Sequence, residues 1–369
     1  MAIWKDSLTI IYQRQTNMYF EEANKYFDKV KDKEDKVILA VESSCDETAC
    51  AILKGKDIKA NIIASQIDIH KRFGGVVPEI ASRNHIMAIQ NCIDQALAEA
   101  NMTLDDIDIF AVTYGAGLLG ALFVGVSYIK ALAFALNKPL MAVNHIKGHI
   151  AVNYVANKEL KPPYICLIAS GGHTAIAHIK DYEDIEIVGT TQDDACGEAF
   201  DKVARVLGLE YPGGPQIQKL AKGGKATIDI PTPYKDVDTY DFSFSGIKTA
   251  VINYVHKMEQ KGESIVREDL AYSFQDKVTS IMVNNTIRCA RDKGINKVVI
   301  AGGVGSNEML REKMDKASKK YNIEVFYPPI KLCTDNAVMI ASEAYHSILA
   351  GKRPVDIDLD ANANLKITD

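Results

Sequence analysis

One supersecondary plan occurs twice in this chain, and that repetition constrains the fold more than any other feature. The first copy starts at "VILAVESSCDETACAILKG", where an apolar run breaks at small polar residues and a second β-like run follows, the pattern of strand, turn and strand. The helix-spaced "HIMAIQNCIDQALAEANMT" comes next, with Ile86, Ile89, Ile93 and Leu97 recurring on one face. Then comes the strand "IDIFAVTYGAGLLG", whose glycines lead into another helix. The second copy opens at "YICLIASGGHTAIAHIKD", passes through the helical "SFQDKVTSIMVNNTIRCARDKG" and reaches "NKVVIAGGVGSN", again a strand closed by glycines, before "EMLREKMDKA". Each half is a hairpin, a helix, a strand, a glycine turn and a helix.

Two such halves predict a two-lobed α/β fold with a central cleft, its Gly- and Ser-rich turns at the carboxyl ends of strands, where open α/β sheets bind ligands. A length of 369 residues suits two units of ~100–200 residues each. Lobe I is expected over 37–157 and lobe II over 158–350, followed by a carboxyl-terminal tail, 351–369. Lobe II carries a helical insertion at about 185–265, with the helix-like "GEAFDKVARVLGL", the turn "YPGGP" and "DFSFSGIKTA", a shaped loop rather than a regular strand. Residues 1–36 read as an amino-terminal extension: "MYFEEANKYFDKVKDKEDK" has helical aromatic spacing and then a charge run without a core pattern. They form an appended amphipathic helix, or a start upstream of a true beginning near Met18.

Composition removes several classes. No apolar run approaches the ~20 residues of a membrane helix, so no membrane partner is expected. The seven cysteines are odd in number, scattered and without a CxxC pair, which points to a reducing compartment. With no signal- or transit-peptide pattern at the amino end, the expected location is cytoplasmic. A net charge of −5 confines any polyanion contact to local patches. Lys71, Arg72, Arg83, Lys202 and Lys248 lie near motif loops and are phosphate-contact candidates, a solvated surface being the other reading. The absence of GxxxxGK[ST] excludes a P-loop enzyme.

The turns carry the chemistry. In "SGGHT" (Ser170, Gly171, Gly172, His173, Thr174) adjacent glycines expose N–H groups that can cradle phosphate or carboxylate oxygens, or simply make a tight hairpin. Its counterpart "ESSCDET" places Asp46 and Glu47 where a plain hairpin would want Asn-Gly, which favours function. "AGGVGSN" (Gly302, Gly303, Asn307) ends a strand and opens a helix, a geometry suited to a ribose or base. In "NHIKGH", His145 and His149 are four apart, so a helix projects both imidazoles from one face, to share a metal ion or to pack. A zinc peptidase needs Glu directly after the first His, and Ile146 stands there. Asp335 in "LCTDNAVMIA" is the best candidate for a third ligand.

These blocks, with "HKRFGGVVPEIASRNH" and "GEAFDK", occur in the order seen in the TsaD family, which the chain resembles over about residues 37–350. The resemblance implies the actin, sugar-kinase and Hsp70-like (ASKHA) fold with duplicated RNase H-like halves. It implies transfer of a threonylcarbamoyl group from threonylcarbamoyl-adenylate to N6 of the adenosine beside the anticodon in tRNAs reading ANN codons, releasing AMP. It implies one divalent metal ion, Fe2+ or Zn2+, on His145, His149 and Asp335. The substrate loop would be Ile168, Ala169, Ser170, Gly171 and Gly172, with Asp201 and Gly214 on the nucleoside, Gln218 and Asn307 nearby, and His173 facing metal or carbamoyl. Asp46 or Glu47 is the candidate for proton handling. Implied partners are a TsaB-like paralogue, forming a heterodimer, and a TsaE-like ATPase.

Three positions depart from the family pattern: Lys147 where bacterial members commonly carry Glu, Ala116 for a common Pro, and Gln218 for an expected acid or hydroxyl at a ribose contact. A non-catalytic scaffold of the same fold, or an ASKHA kinase or ATPase, is the competing class. Neither needs His145, His149 and Asp335 together.

Overall fold

The computed structural model describes residues 2–369. The chain as far as Gln66, with 76–158 and 335–369, makes one compact unit, and 67–75 with 159–334 makes the other.

The first unit is built on a five-stranded sheet of β1 (Val37–Glu42), β2 (Glu47–Lys54), β3 (Asp57–Ser65), β4 (Ile109–Gly115) and β5 (Leu140–Asn144), in the order β3-β2-β1-β4-β5. β1 pairs antiparallel with β2 (Val41↔Cys50) and parallel with β4 (Val41↔Val112). Every residue of β1 is buried, because a central strand covered on both faces needs a continuous apolar run rather than an alternating one. The second unit repeats the plan with β6 (Tyr164–Ala169), β7 (Thr174–Ile179), β8 (Ile185–Thr190), β9 (Lys297–Ala301) and β10 (Glu324–Phe326), ordered β10-β9-β6-β7-β8. In both sheets the first strand is central, flanked by its hairpin on one side and two parallel strands on the other. The internal repeat read from the sequence is thus a repeat of topology, the duplicated RNase H-like arrangement.

In the first unit, α1 (Ala2–Val30), α3 (Pro78–Ala100) and α4 (Leu119–Leu136) contribute Tyr19, Ile89, Ile93, Val126 and Ile129 to a core with Leu39, Val41, Ile52 and Phe110. The expected apolar face of α3 is narrower than its spacing implied: Ile89 and Ile93 are buried, whereas Ile86 is 62% exposed. α4 is long and apolar enough, by length and composition, to cross a membrane, with a mean hydropathy of 1.9, where the sequence reading expected no such run. One face of it, including Ala121, Leu122, Val126 and Ile129, is buried. The extension is joined to this unit from Tyr19 onward: the Tyr19 hydroxyl donates to Lys138 O (3.0 Å) and Arg353 pairs with Asp28 (3.1 Å).

The unit boundaries differ from the expected lobes. α5 (His145–Ala156) packs against α11 (Ala337–Leu349), which also lies on β1 and β2, so residues after 334 belong to the first unit. The cause is composition: "AVMIASEAYHSI" is buried all round, and a helix without a polar face needs neighbours on every side. The segment 67–75, holding the single-turn α2 (Ile67–His70), belongs to the second unit instead.

The second unit's core joins Leu167, Phe200, Phe244, Phe274 and Met282 from β6, α6 (Cys196–Val206), the segment before α8 (Ser245–Lys261), and α9 (Arg267–Asp292). Two segments read as turn or loop start helices: "YPGGP" opens α7 (Gly213–Ala221), and "DFSFSGIKTA" opens α8. Asp193 organises the latter, accepting from Phe244 N (2.7 Å) and from the Ser243 and Ser245 hydroxyls. α10 (Glu308–Tyr321) completes the repeat.

Candidate metal centre and glycine loops

Asn144, the last residue of β5, caps α5. Its Oδ1 accepts from the N–H groups of Ile146 (2.9 Å) and Lys147 (3.3 Å), a contribution of about 1 kcal/mol. This cap starts the helix at His145 and places His149 one turn on, with ring centroids 4.8 Å apart. Gly148 lets α11 approach: a Cβ there would stand 3.0 Å from Ile340 Cδ1. Asn336 caps α11 through Met339 N (3.2 Å), and the preceding Asp335 thereby points its Oδ1 at His149 Nε2 (3.1 Å) and His145 Nε2 (3.6 Å). One ligand atom from each of His145, His149 and Asp335 lies within 4.8 Å of the others, a group that could hold a metal ion.

The residues fit such an ion. His149 is 1% exposed, and neither of its ring nitrogens has a hydrogen-bond partner among the described residues. Its Nε2 and Asp335 Oδ1 are close without aligning as donor and acceptor, the arrangement of two ligands aimed at a common point. Leaving a buried polar atom unmet costs about 1–3 kcal/mol, which a bound cation offsets. Two imidazoles and a carboxylate are a donor set that zinc and iron accept.

Sequence reasoning missed Glu42. This fully buried carboxylate ends β1 and accepts from Ser44 N (2.6 Å) and the Thr113 hydroxyl (2.6 Å), while His145 Nδ1 stands 3.2 Å from its Oε2 and 3.0 Å from Ser44 Oγ. An ionised carboxylate only accepts, so Nδ1 carries the proton and Nε2 is left for Asp335 or a cation. Burial opposes charge on both partners, but His145 holds Glu42 below the usual carboxylate range, and Asp335 with Glu42 raises the His145 imidazole to about 9. The available signal was an acid closing an otherwise apolar strand.

Asp46 and Glu47 follow at the β1–β2 turn. Asp46 is buried and its carbonyl accepts from Gln66 N (3.0 Å), while Glu47 Oε1 accepts from the Ser65 hydroxyl (3.2 Å). Burial, then the charges of Asp335 and Asp46, push the Glu47 carboxyl up to about 9, so it holds its proton at neutral pH. Lys147 is buried and directed to the tail, donating to the main-chain oxygen of Asp369 (3.3 Å). Ala116 lies between Gly115 and Gly117, whose missing side chains admit Asn362 O and Ser44 O, respectively.

The second unit gathers the remaining expected residues. Ser170 N donates to His173 O (2.8 Å) and His173 N to Ser170 Oγ (3.2 Å), closing the β6–β7 turn with Gly171, Gly172 and His173 exposed. Ile168 and Ala169 are buried in β6, so they offer a ligand only main chain. Gly302, at φ 90, covers Ala169 O, where a Cβ would come to 2.4 Å. Gly197 N donates to Ser170 O (3.3 Å), bringing the start of α6 to the turn. Asp201 Oδ1 accepts from Gly213 N (2.6 Å) at the start of α7, beside Gly214. Gln218 Oε1 accepts from Glu308 N (2.8 Å), and Asn307 caps α10 through Leu310 N (3.0 Å) while its Nδ2 donates to Gln275 Oε1 (3.1 Å). The Gly171–Gly172 turn is open, with nothing within 4 Å of where Cβ atoms would stand.

The basic candidates sort into two groups. Lys202 and Lys248 both pair with Asp194 (2.9 and 2.7 Å), Lys202 also pairs with Glu198 (2.7 Å), and Arg83 pairs with Glu79 (2.7 Å). Lys71 pairs with the exposed Asp68 (3.1 Å), and Arg72 has no ion pair among the described residues.

A duplicated α/β fold with glycine loops in one unit, and in the other two histidines and a carboxylate that could hold a metal ion, defines a member of the actin, sugar-kinase and Hsp70-like class. Two solved structures share the fold at identities too low to say more. T. kodakarensis HypF gives a TM-score of 0.61 and 15% identity over 89% of this chain and 49% of its own. Full-length HypF in the phosphate- and nucleotide-bound form gives 0.59 and 16% over 86% and 47%. The family model described as "TsaD: tRNA N6-adenosine threonylcarbamoyltransferase" matches residues 57–342. The tRNA N6-adenosine threonylcarbamoyltransferase of Clostridium botulinum (strain 657 / Type Ba4) is 55% identical over 337 residues, spanning 91% of this chain and 99% of that one. The enzyme of the same name from Clostridium perfringens (strain 13 / Type A) is 52% identical over 336 residues, spanning 90% and 99%. The chain belongs to the TsaD family of tRNA-modifying transferases.

Proposed function

We propose that this chain transfers a threonylcarbamoyl group from threonylcarbamoyl-adenylate to N6 of the adenosine beside the anticodon of tRNAs reading ANN codons. The convergence of His145, His149 and Asp335 in a chain of this family carries the reading, since a scaffold subunit has no use for three convergent ligands. In the reaction the exocyclic amine attacks the carbamoyl carbonyl, the bond from that carbon to the phosphate oxygen breaks, AMP leaves with the electron pair, and the amine gives up a proton.

His145, His149 and Asp335 would hold the ion, Fe2+ or Zn2+, which when bound supplies Lewis-acid stabilisation of acyl and phosphate oxygens. Glu42 keeps His145 turned for that purpose. Asp46 is the proposed proton acceptor; Glu47, protonated at neutral pH in the metal-free chain, is suited to donate. In the second unit the exposed main chain at Gly171 and Gly172 is suited to phosphate oxygens, and Asp201, Gly214 and Asn307 to the nucleoside. The side-chain oxygen of Gln218 is committed to the start of α10, leaving its amide N–H to reach a ribose.

Ile86 and Met87 on α3, with Leu119 and Phe123 on α4, are exposed apolar side chains suited to a TsaB-like paralogue that docks through helices. A TsaE-like ATPase and a cytoplasmic location follow from the family resemblance and from tRNA as acceptor. The test is mass spectrometry of tRNA nucleosides after incubating metal-loaded protein and its paralogue with unmodified tRNA and threonylcarbamoyl-adenylate. Threonylcarbamoyl-adenosine is expected in the parent and not in Asp335→Ala. Its absence in the parent with the paralogue present overturns the reading.

A further inference from the structure

Lys71, Arg72 and Arg205 line one cavity in the second unit, about 380 Å3 in volume, together with Asp201 and Tyr211. Arg205 donates to Gly74 O (2.7 Å), fastening the segment 67–75 to α6. Gly74 adopts φ 68 at the end of the short turn Lys71–Phe73, a left-handed conformation that reverses the chain there. The turn leaves Phe73 56% exposed, directly after Arg72. A phenylalanine more than half in water is no core residue, and the guanidinium beside it has no carboxylate partner among the described residues. Two consecutive cations followed by an exposed aromatic ring, next to a cavity that Lys71, Arg72 and Gly74 help to line, supply what an unstacked RNA base and its phosphate require: stacking on the ring, charge on the backbone. Asp201 and Glu210 share the lining with the three cations, Lys71 pairs with Asp68 and Arg205 holds Gly74 O. That leaves Arg72, without an ion pair among the described residues, as a local point where a phosphate can be held on a chain of net charge −5.

We propose that Arg72 and Phe73, with Lys71, Arg205 and Tyr211 around the cavity, form a docking site for an unpaired nucleotide of the acceptor tRNA, Phe73 stacking on its base and Arg72 holding its phosphate. The proposal rests on tRNA being the acceptor.

The experiment measures the affinity of the full chain with its paralogue for unmodified tRNA by fluorescence anisotropy across salt concentrations, and separately KM for tRNA and for threonylcarbamoyl-adenylate. Phe73→Ala is expected to weaken tRNA binding by about tenfold or more, and Phe73→Trp to restore it. Arg72→Gln is expected to reduce the salt slope by about 1, with KM for tRNA rising more than KM for the adenylate in each variant. Unchanged tRNA affinity in both Phe73→Ala and Arg72→Gln overturns the proposal, as does a loss confined to paralogue binding. Affinity is read without turnover, so a parent that binds tRNA through Phe73 but makes no product sinks the transferase reading and leaves this one standing.

Discussion

His145 Nδ1 and Glu42 Oε2 lie 3.2 Å apart at the buried end of β1, and this contact decides which face of the imidazole is available to a metal ion. The Glu42 carboxylate is itself fixed by Ser44 N and Thr113 Oγ1, so it offers His145 an acceptor in one place and one state. Glu42→Gln keeps the shape and can turn an amide N–H toward Nδ1, which favours the wrong tautomer. Zinc affinity, read by competition with a chromophoric chelator, is expected to fall by about 10–100-fold, against near-complete loss in Asp335→Ala. Affinity within about twofold of the parent would mean that Glu42 serves the fold alone.

Asn144 does two jobs at the head of the same helix: Oδ1 caps α5, and Nδ2 donates to Lys366 O (2.8 Å), tying the tail to the metal-bearing turn. Lys147 adds a second tie through Asp369 O. Asn144→Ala is expected to cost about 1–2 kcal/mol in urea denaturation and to speed hydrogen exchange at Ile146 and Lys147 as well as at residues 362–369. Asn144→Asp keeps the cap and loses only the donor, so exchange should rise in the tail and not in the helix. Lys147→Glu is expected to free the tail with little change in zinc affinity, since Lys147 points away from the three ligands. Equal exchange in parent and Asn144→Asp would show that the Nδ2 bond holds nothing.

What was legible in the sequence was whatever short-range pattern specifies. The hairpins of β1–β2 and β6–β7 show as apolar runs broken at small polar residues, and the four-residue spacing of His145 and His149 places both on one helical face. Partnerships made over long separations were not legible. Glu42 reads as a residue flanking a turn until the fold brings Thr113 and His145 to it, and α11 reads as an element of the second half until α5 covers it. "YPGGP" carries every turn signal, yet Asp201 Oδ1 accepts from Gly213 N and starts a helix there. The cations near the motifs could be sorted only once Asp194 was seen to take both Lys202 and Lys248.

His346 gives a pH dependence independent of the metal ligands. It is 1% exposed on α11, its Nδ1–H donates to Ser342 O (2.7 Å), and its ring lies 4.5 Å from that of Tyr154. Burial lowers its pKa from 6.5 to about 4, with the charges of Lys56 and Lys36 acting in the same direction. Because the folded value lies below the unfolded one, the unfolded chain binds the extra proton between pH 6.5 and 4. The stability present above about 6.5 is therefore lost as pH falls through that window, on the order of 3 kcal/mol by about pH 4. His346→Phe removes the titrating group, so it should be less stable than the parent at pH 7, where the bond to Ser342 O is missed, yet lose less on acidification. Urea midpoints of both proteins at pH 7, 6, 5 and 4.5 check this, and parallel losses in parent and variant would place the acid sensitivity elsewhere.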